Sequence, residues 1–251
     1  MKNATITAIR YGLNRNFFIG MIAIMGVLIT ISTDTVVKLL RTPQVLPRGF
    51  HIYFLITLVS SESFLPFITI CATLPLSGIY VDEIKSKYVQ FVVFRAGNTA
   101  YLLSRIVSCF ICGGTVIISG IAALYFVSYV VFLPFTQGVE TVPIETGYEF
   151  AAQCCLLFLS GGLWAVIGIA MSALMESKYI AYASPFVIYY LLVILYTRYF
   201  PNCFLLNPQE WINPSTYWPA GVWGPSILMI ELAILFSLIF VFQAGRRLQK
   251  L

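Results

Sequence analysis

Charge is what this sequence has least of. Asp, Glu, Lys and Arg make up 10% of its residues, against about a quarter in water-soluble domains. With 59% of residues hydrophobic, the chain lacks the polar surface that a globule needs in water. No stretch is both polar and long enough to form a soluble domain, so a lipid bilayer is the solvent that fits. Histidine is almost missing: His51 is the only one, which excludes a His-based metal site or a His-rich active site. An intramembrane Ser/His pair would need His51 beside a buried serine, whereas it falls near the expected outer interface. No G-x-x-x-x-G-K-[ST] loop occurs, so nothing on this chain cradles a nucleotide phosphate. Cys109 and Cys112 form a C-x-x-C with neither a second such pair nor a histidine to complete a metal site. The formal charge of +5 sits in short clusters between apolar runs, which suits topology signals rather than nucleic acid.

What is present is a series of long apolar runs. A helical span needs about 20 mainly apolar residues, and six candidates occur, over about 17–33, 50–80, 101–133, 148–175, 179–200 and 223–244. The second is long and holds Pro66 and Pro75. Backbone polar groups must be satisfied within each span in lipid, and the period-2 alternation of a membrane barrel is absent. The expected fold is therefore an all-α integral membrane domain of six transmembrane helices. The six cysteines mostly lie inside these runs, where a thiol acts as a small hydrophobe.

Residues 2–16 differ. Ile6, Ile9, Leu13 and Phe17 recur at helical spacing with Lys2, Arg10 and Arg15 between them. This pattern reads as an amphipathic helix lying in the interface, or else as a frayed basic tail. The same basic residues precede an apolar run as in a secretory signal, but no small-residue cleavage site follows, so the run is expected to be retained.

Lys and Arg placement gives an orientation. With the amino terminus inside, Lys2, Arg10, Arg15, Lys85, Lys87, Arg95, Arg105, Lys178, Arg246, Arg247 and Lys250 fall inside, and Lys38, Arg41, Arg48 and Arg198 outside. Both termini are then expected in the cytoplasm. Asp34, Glu140, Glu145, Glu149 and Glu210 fall outside, and Asp82, Glu83 and Glu176 inside.

The inner segment between the second and third runs carries the most information. Asp82, Glu83, Ile84, Lys85, Lys87, Tyr88, Phe91 and Arg95 lie here, with Val81, Ile84, Tyr88 and Phe91 at helical spacing. Acids come first and bases after, as the helix dipole favours, and Gly97-Asn98 breaks the helix. Such a helix either docks into a partner's groove or only anchors the neighbouring spans. An acidic residue after the second span (Glu83), a short helix through Phe91–Arg95, a turn at Gly97-Asn98 and a basic residue at Arg105 together resemble the type-2 permeases of ATP-binding-cassette exporters. The order differs from that family where Lys87-Tyr88 stands in place of its frequent Gly-Thr. The resemblance covers the whole chain through its layout: an amphipathic start, six spans and basic ends.

That resemblance implies that the inner segment is the coupling helix that contacts an ATPase subunit. It also implies that ATP and Mg bind on that separate subunit with no cofactor on this chain, and that a second copy or a related permease completes the pathway in the cell membrane. Family substrates include peptides, drugs, lipids and glycans. The lack of a charged lumen favours a hydrophobic or amphipathic one, exported by alternating access.

The outer segment 201–219 is too apolar for a free loop and too rich in proline for a span. It contains Asn207, Pro208, Trp211, Asn213 and Pro214. Non-helical backbone at membrane depth requires protein or a cavity beside it. A re-entrant helical hairpin, similar to the outer helices before the last span of those permeases, is one reading; an interfacial loop held by Trp211 and Trp218 is the other.

Glu62 and Glu231 are acids inside runs. An ionisable group in a span costs roughly 2.5–3.5 kcal/mol on insertion scales and is a functional candidate by default. Each either lines a pathway or subunit interface in the outer half, or bonds a neighbouring helix, for instance through Ser60, Ser61 or Ser63. Gly113-Gly114 and Gly161-Gly162 invite close helix approach, and Pro66, Pro75 and Pro185 are expected to kink their helices. Two other classes of function stay open on the residues alone: a non-transporting assembly or sensor protein, and an intramembrane enzyme.

Overall fold

The computed structural model describes residues 2–41, 46–135, 143–214 and 218–248, and every regular element of more than one residue among them is helical. Glu140 and Lys250, used above for orientation, lie outside the described residues. In chain order the helices are α1 (Lys2–Gly12), α2 (Arg15–Arg41), α3 (Phe50–Val59), α4 (Leu65–Thr73) and α5 (Ile79–Lys85). They continue with α6 (Tyr88–Ala96), α7 (Asn98–Phe132), α8 (Ile144–Met175), α9 (Lys178–Ile194) and α10 (Gly224–Leu248). Five of these, α2, α7, α8, α9 and α10, are long and apolar enough to cross a membrane. The chain is thus an all-helical protein of multi-pass membrane type.

Helix α8 lies at the centre. From Ser160 to Ala170 every residue is buried, the pattern of a helix that is apolar all round because it is surrounded by others. Helices α7, α9, α10 and α4 pack around it. Small residues set the α7–α8 distance: a Cβ on Gly113 would meet Ala165 and stand 2.7 Å from the Gly161 carbonyl. Ser77 Oγ donates to the Ala165 carbonyl at 3.0 Å, and the Cys109 thiol donates to the same oxygen at 3.3 Å. Cys109 and Cys112 are both buried free thiols.

The long run over about 50–80 is not one helix. It breaks at residues 60–64 and again at 74–78, giving α3, α4 and α5. Pro66 fits the pattern as a helix start rather than as a kink. Pro66 stands in the first turn of α4, where its missing N–H leaves no bond unmade, and Pro75 lies in the second break. Despite the breaks the segment stays against α7. His51 bonds Tyr125, Ser77 meets Cys109, and Glu83 bonds Arg105, so the two run antiparallel from one end of α7 to the other.

At its start the chain folds α1 back on the bundle. Asn14 Oδ1 accepts from the amides of Asn16 and Phe17 at 2.9 and 3.2 Å, which caps the start of α2. The face of α1 turned to the bundle is its small one: Ala8 and Gly12 are buried, and a Cβ on Gly12 would stand 2.6 Å from Cys112 Sγ. Ile9 is half-buried, and Ile6 and Leu13, which recur at the same helical spacing, are exposed.

Candidate functional sites

The end of the bundle that holds α5 and α6 carries a linked set of charges. The segment from Asp82 to Arg95 forms two helices rather than one, because Lys87 takes a left-handed conformation (φ 58°) between them. This turn splits the apolar face that the spacing predicted. Val81 is buried and Ile84 half-buried, while Tyr88 and Phe91 are turned outward. Val89 is the buried foot of α6. Phe91 is 71% and Phe94 94% exposed, and Lys85, Lys87 and Arg95 are exposed around them. The surface of α6 is therefore aromatic with basic flanks.

Beneath it Glu83 is buried. Its carboxylate pairs with the Arg105 guanidinium on α7 and accepts a hydrogen bond from the Tyr101 hydroxyl at 2.6 Å. Arg105 also stands 5.4 Å over the Tyr101 ring, and its Nε is buried with no hydrogen-bond partner among the described residues. Two more ion pairs tie this end together: Lys178 at the start of α9 with Asp82 at 3.4 Å, and Arg247 on α10 with Glu176 at 2.9 Å. Arg247 also donates to the Leu174 carbonyl at 3.3 Å. Helix α5 is thus fixed to α7 and α9, and α10 to the α8–α9 turn.

The opposite end is organised around α8. Gln153 donates through Nε2 to Ser60 Oγ at 2.7 Å and to Asn213 Oδ1 at 2.6 Å, and Asn213 Nδ2 donates to the Ser60 carbonyl at 3.0 Å. The break after α3 leaves that carbonyl free of its helix, and Asn213 satisfies it, as a buried backbone group requires. The segment carrying Asn213 has no α-helix among its described residues: a 3-10 turn at Phe204–Leu206 is followed by further turns. It is nevertheless packed against the bundle. Trp211 is buried and stacks on Trp164 of α8 with centroids 6.0 Å apart, and its indole N–H donates to the Leu205 carbonyl at 2.9 Å. Pro208 is buried, while Asn207 Oδ1 caps the turn by accepting from the Gln209 amide at 3.2 Å. Asn207, Pro208, Trp211 and Asn213 thus share a buried fold-back, and Pro214 ends it exposed.

Glu62 and Glu231 are not brought together. Glu62 is exposed in the turn between α3 and α4, and Glu231 is exposed on α10. Neither takes part in an ion pair among the described residues. The serines near Glu62 are engaged elsewhere: Ser60 with Gln153, and Ser61 Oγ with the Leu58 carbonyl at 2.7 Å. Gln153 was passed over in the sequence, although a glutamine inside an apolar run was a visible signal of a buried polar contact. No protein-family model matches the chain, and neither the comparison with curated proteins nor that with solved structures gives a match.

Proposed function

We propose that this chain is the permease subunit of an ATP-driven exporter of the ATP-binding-cassette class. It would act as half of a pathway with a second copy or a related permease, and move a hydrophobic or amphipathic substrate by alternating access. ATP and Mg belong to a separate ATPase subunit. The observation that carries this reading is α6. It holds Phe91 and Phe94 out of the bundle at 71% and 94% exposure, while its neighbour α5 is fixed to α7 through buried Glu83 and Arg105. A partner that takes hold of the aromatic face would thereby move a helix that runs the length of the bundle.

A six-span topology fits the same geometry. Residues 50–85 follow α7 from His51 at Tyr125 to Glu83 at Arg105, so the broken segment α3–α5 counts as a sixth crossing beside the five long helices. Broken helices are tolerated at membrane depth where protein covers the freed backbone, as Asn213 does for Ser60. The end with α6 also holds Lys85, Lys87, Arg95, Lys178 and Arg247, which the positive-inside rule assigns to the cytoplasm along with both termini. The buried fold-back 204–213 would then close the bundle on the outer side.

Co-purification tests the reading. Mild detergent extraction of the tagged chain from its native membrane is expected to bring down a Walker-motif ATPase in stoichiometric amount. Recovery of the chain, intact and monodisperse, with no ATPase bound would count against it.

A further inference from the structure

We propose that the cleft between the start of α3 and the end of α7 binds a phosphate-bearing anion. The cleft encloses about 370 Å³ and is lined by Arg48, Gly49, His51, Tyr129, Phe132 and Leu133. It lies at the end of the bundle away from α6. The chain is drawn across it by the Leu46 amide, which donates to the Phe135 carbonyl at 3.1 Å. Gly49, at φ 91°, then turns the backbone into α3 with no side chain capping that helix.

The chemistry of the lining is one-sided. Among the described residues, Arg48 is exposed and has no ion pair, and no carboxylate lines the cleft. His51 is largely buried and held in place. Its Nε2 lies 3.2 Å from the Tyr125 hydroxyl, and its ring meets those of Tyr125 and Tyr129 edge to face at 5.1 and 5.2 Å. The imidazole is therefore oriented by α7. A guanidinium fork matches two phosphate oxygens at once, and the Tyr129 hydroxyl adds a neutral donor. The positive end of α3 favours negative charge in the same place. The opposite wall, Phe132 and Leu133, is apolar. The cavity is larger than one phosphate needs, and that wall suits the carbon part of a phosphate ester. Two sources supply this chemistry: a phospholipid headgroup at the membrane surface, or a phosphate compound from solution.

The test uses the full chain purified in phosphate-free non-ionic detergent. Inorganic phosphate and dihexanoyl phosphatidylglycerol, kept below its micelle concentration, are titrated separately and binding is followed by calorimetry at constant ionic strength. The wild-type chain is expected to bind. Arg48→Gln is expected to weaken binding about tenfold or more, the loss of a charged bidentate contact, and Tyr129→Phe by less. Arg198→Gln, outside the cleft, should leave it unchanged. Binding of the lipid at least tenfold tighter than phosphate assigns the site to a headgroup; equal affinities assign it to the phosphate alone. Absence of binding by both probes, or equal binding by Arg48→Gln and wild type, overturns the proposal. Should Arg48→Gln not fold, the wild-type titrations and Tyr129→Phe decide the matter on the same criteria.

Discussion

Arg105 of α7 and Glu83 of α5 form a largely buried ion pair, with side-chain exposures of 11% and 10%. Removing one partner of such a pair strands the other charge and costs about 3 kcal/mol or more. Arg105→Met should therefore lower the apparent unfolding temperature in detergent sharply. The double variant Glu83→Gln with Arg105→Met should recover part of that loss. Equal stability of the single and double variants would show that the pair is not coupled. Tyr101→Phe, which deletes one hydrogen bond to the same carboxylate, should cost less, about 1–3 kcal/mol.

The close approach of α7 and α8 depends on Gly113 and Gly161, since a Cβ on Gly113 meets Ala165 on one side and the Gly161 carbonyl at 2.7 Å on another. Backbone cannot yield as a flexible side chain can. Gly113→Val is expected to separate the helices and destabilise the chain by about 1–3 kcal/mol or more, seen as aggregation in size-exclusion chromatography. Gly26→Val, where a Cβ meets nothing within 4 Å, should behave as wild type.

Gln153, Ser60 and Asn213 share three hydrogen bonds across α8, the break after α3 and the fold-back 204–213. Gln153→Leu leaves Asn213 Oδ1 without its donor, and a loss of about 1–3 kcal/mol follows. Gln153→Leu combined with Asn213→Leu should fall short of the sum of the single effects, because both act on one network. Additive losses in thermal unfolding would mean that the contacts are independent.

The exposed acids should behave differently. Glu62 and Glu231 make no ion pair among the described residues. Glu62→Gln, in the turn between α3 and α4, is expected to leave expression and unfolding unchanged within about 0.5 kcal/mol. Glu231→Gln, which removes an ionisable group from the apolar helix α10, is expected to be neutral to stabilising. If they serve the pathway, transport falls while stability holds. Normal transport by both variants would remove them from the mechanism.

Much of this architecture could be read from local sequence. The apolar runs ending near Thr33, Leu133, Met175, Phe200 and Ala244 correspond to α2, α7, α8, α9 and α10, because lipid makes hydropathy and helix length one signal. The breaks in the run over about 50–80 were written in Ser60-Ser61-Glu62-Ser63 and in two prolines, but a proline reads alike as a kink or as a helix start until the preceding turn is known. The division of α5 from α6 depends on a left-handed Lys87, and nothing in a lysine announces that conformation. The contacts of Gln153 with Ser60 and Asn213 join residues far apart in sequence, so they appear only once α8 stands between the other two. The cleft at Arg48 and His51 is likewise a product of packing, since it needs the far end of α7 beside the first turn of α3.

The central claim is that α6 is the surface through which an ATPase drives this chain. It is tested most directly by the ATPase rate of the co-purified complex in proteoliposomes, measured for wild type and for Phe91→Ala with Phe94→Ala. Both side chains are exposed, so their loss should spare the fold. The account predicts that the wild-type chain stimulates hydrolysis and that the double variant, still folded and inserted, loses that stimulation. A rate unchanged by the double substitution would contradict it.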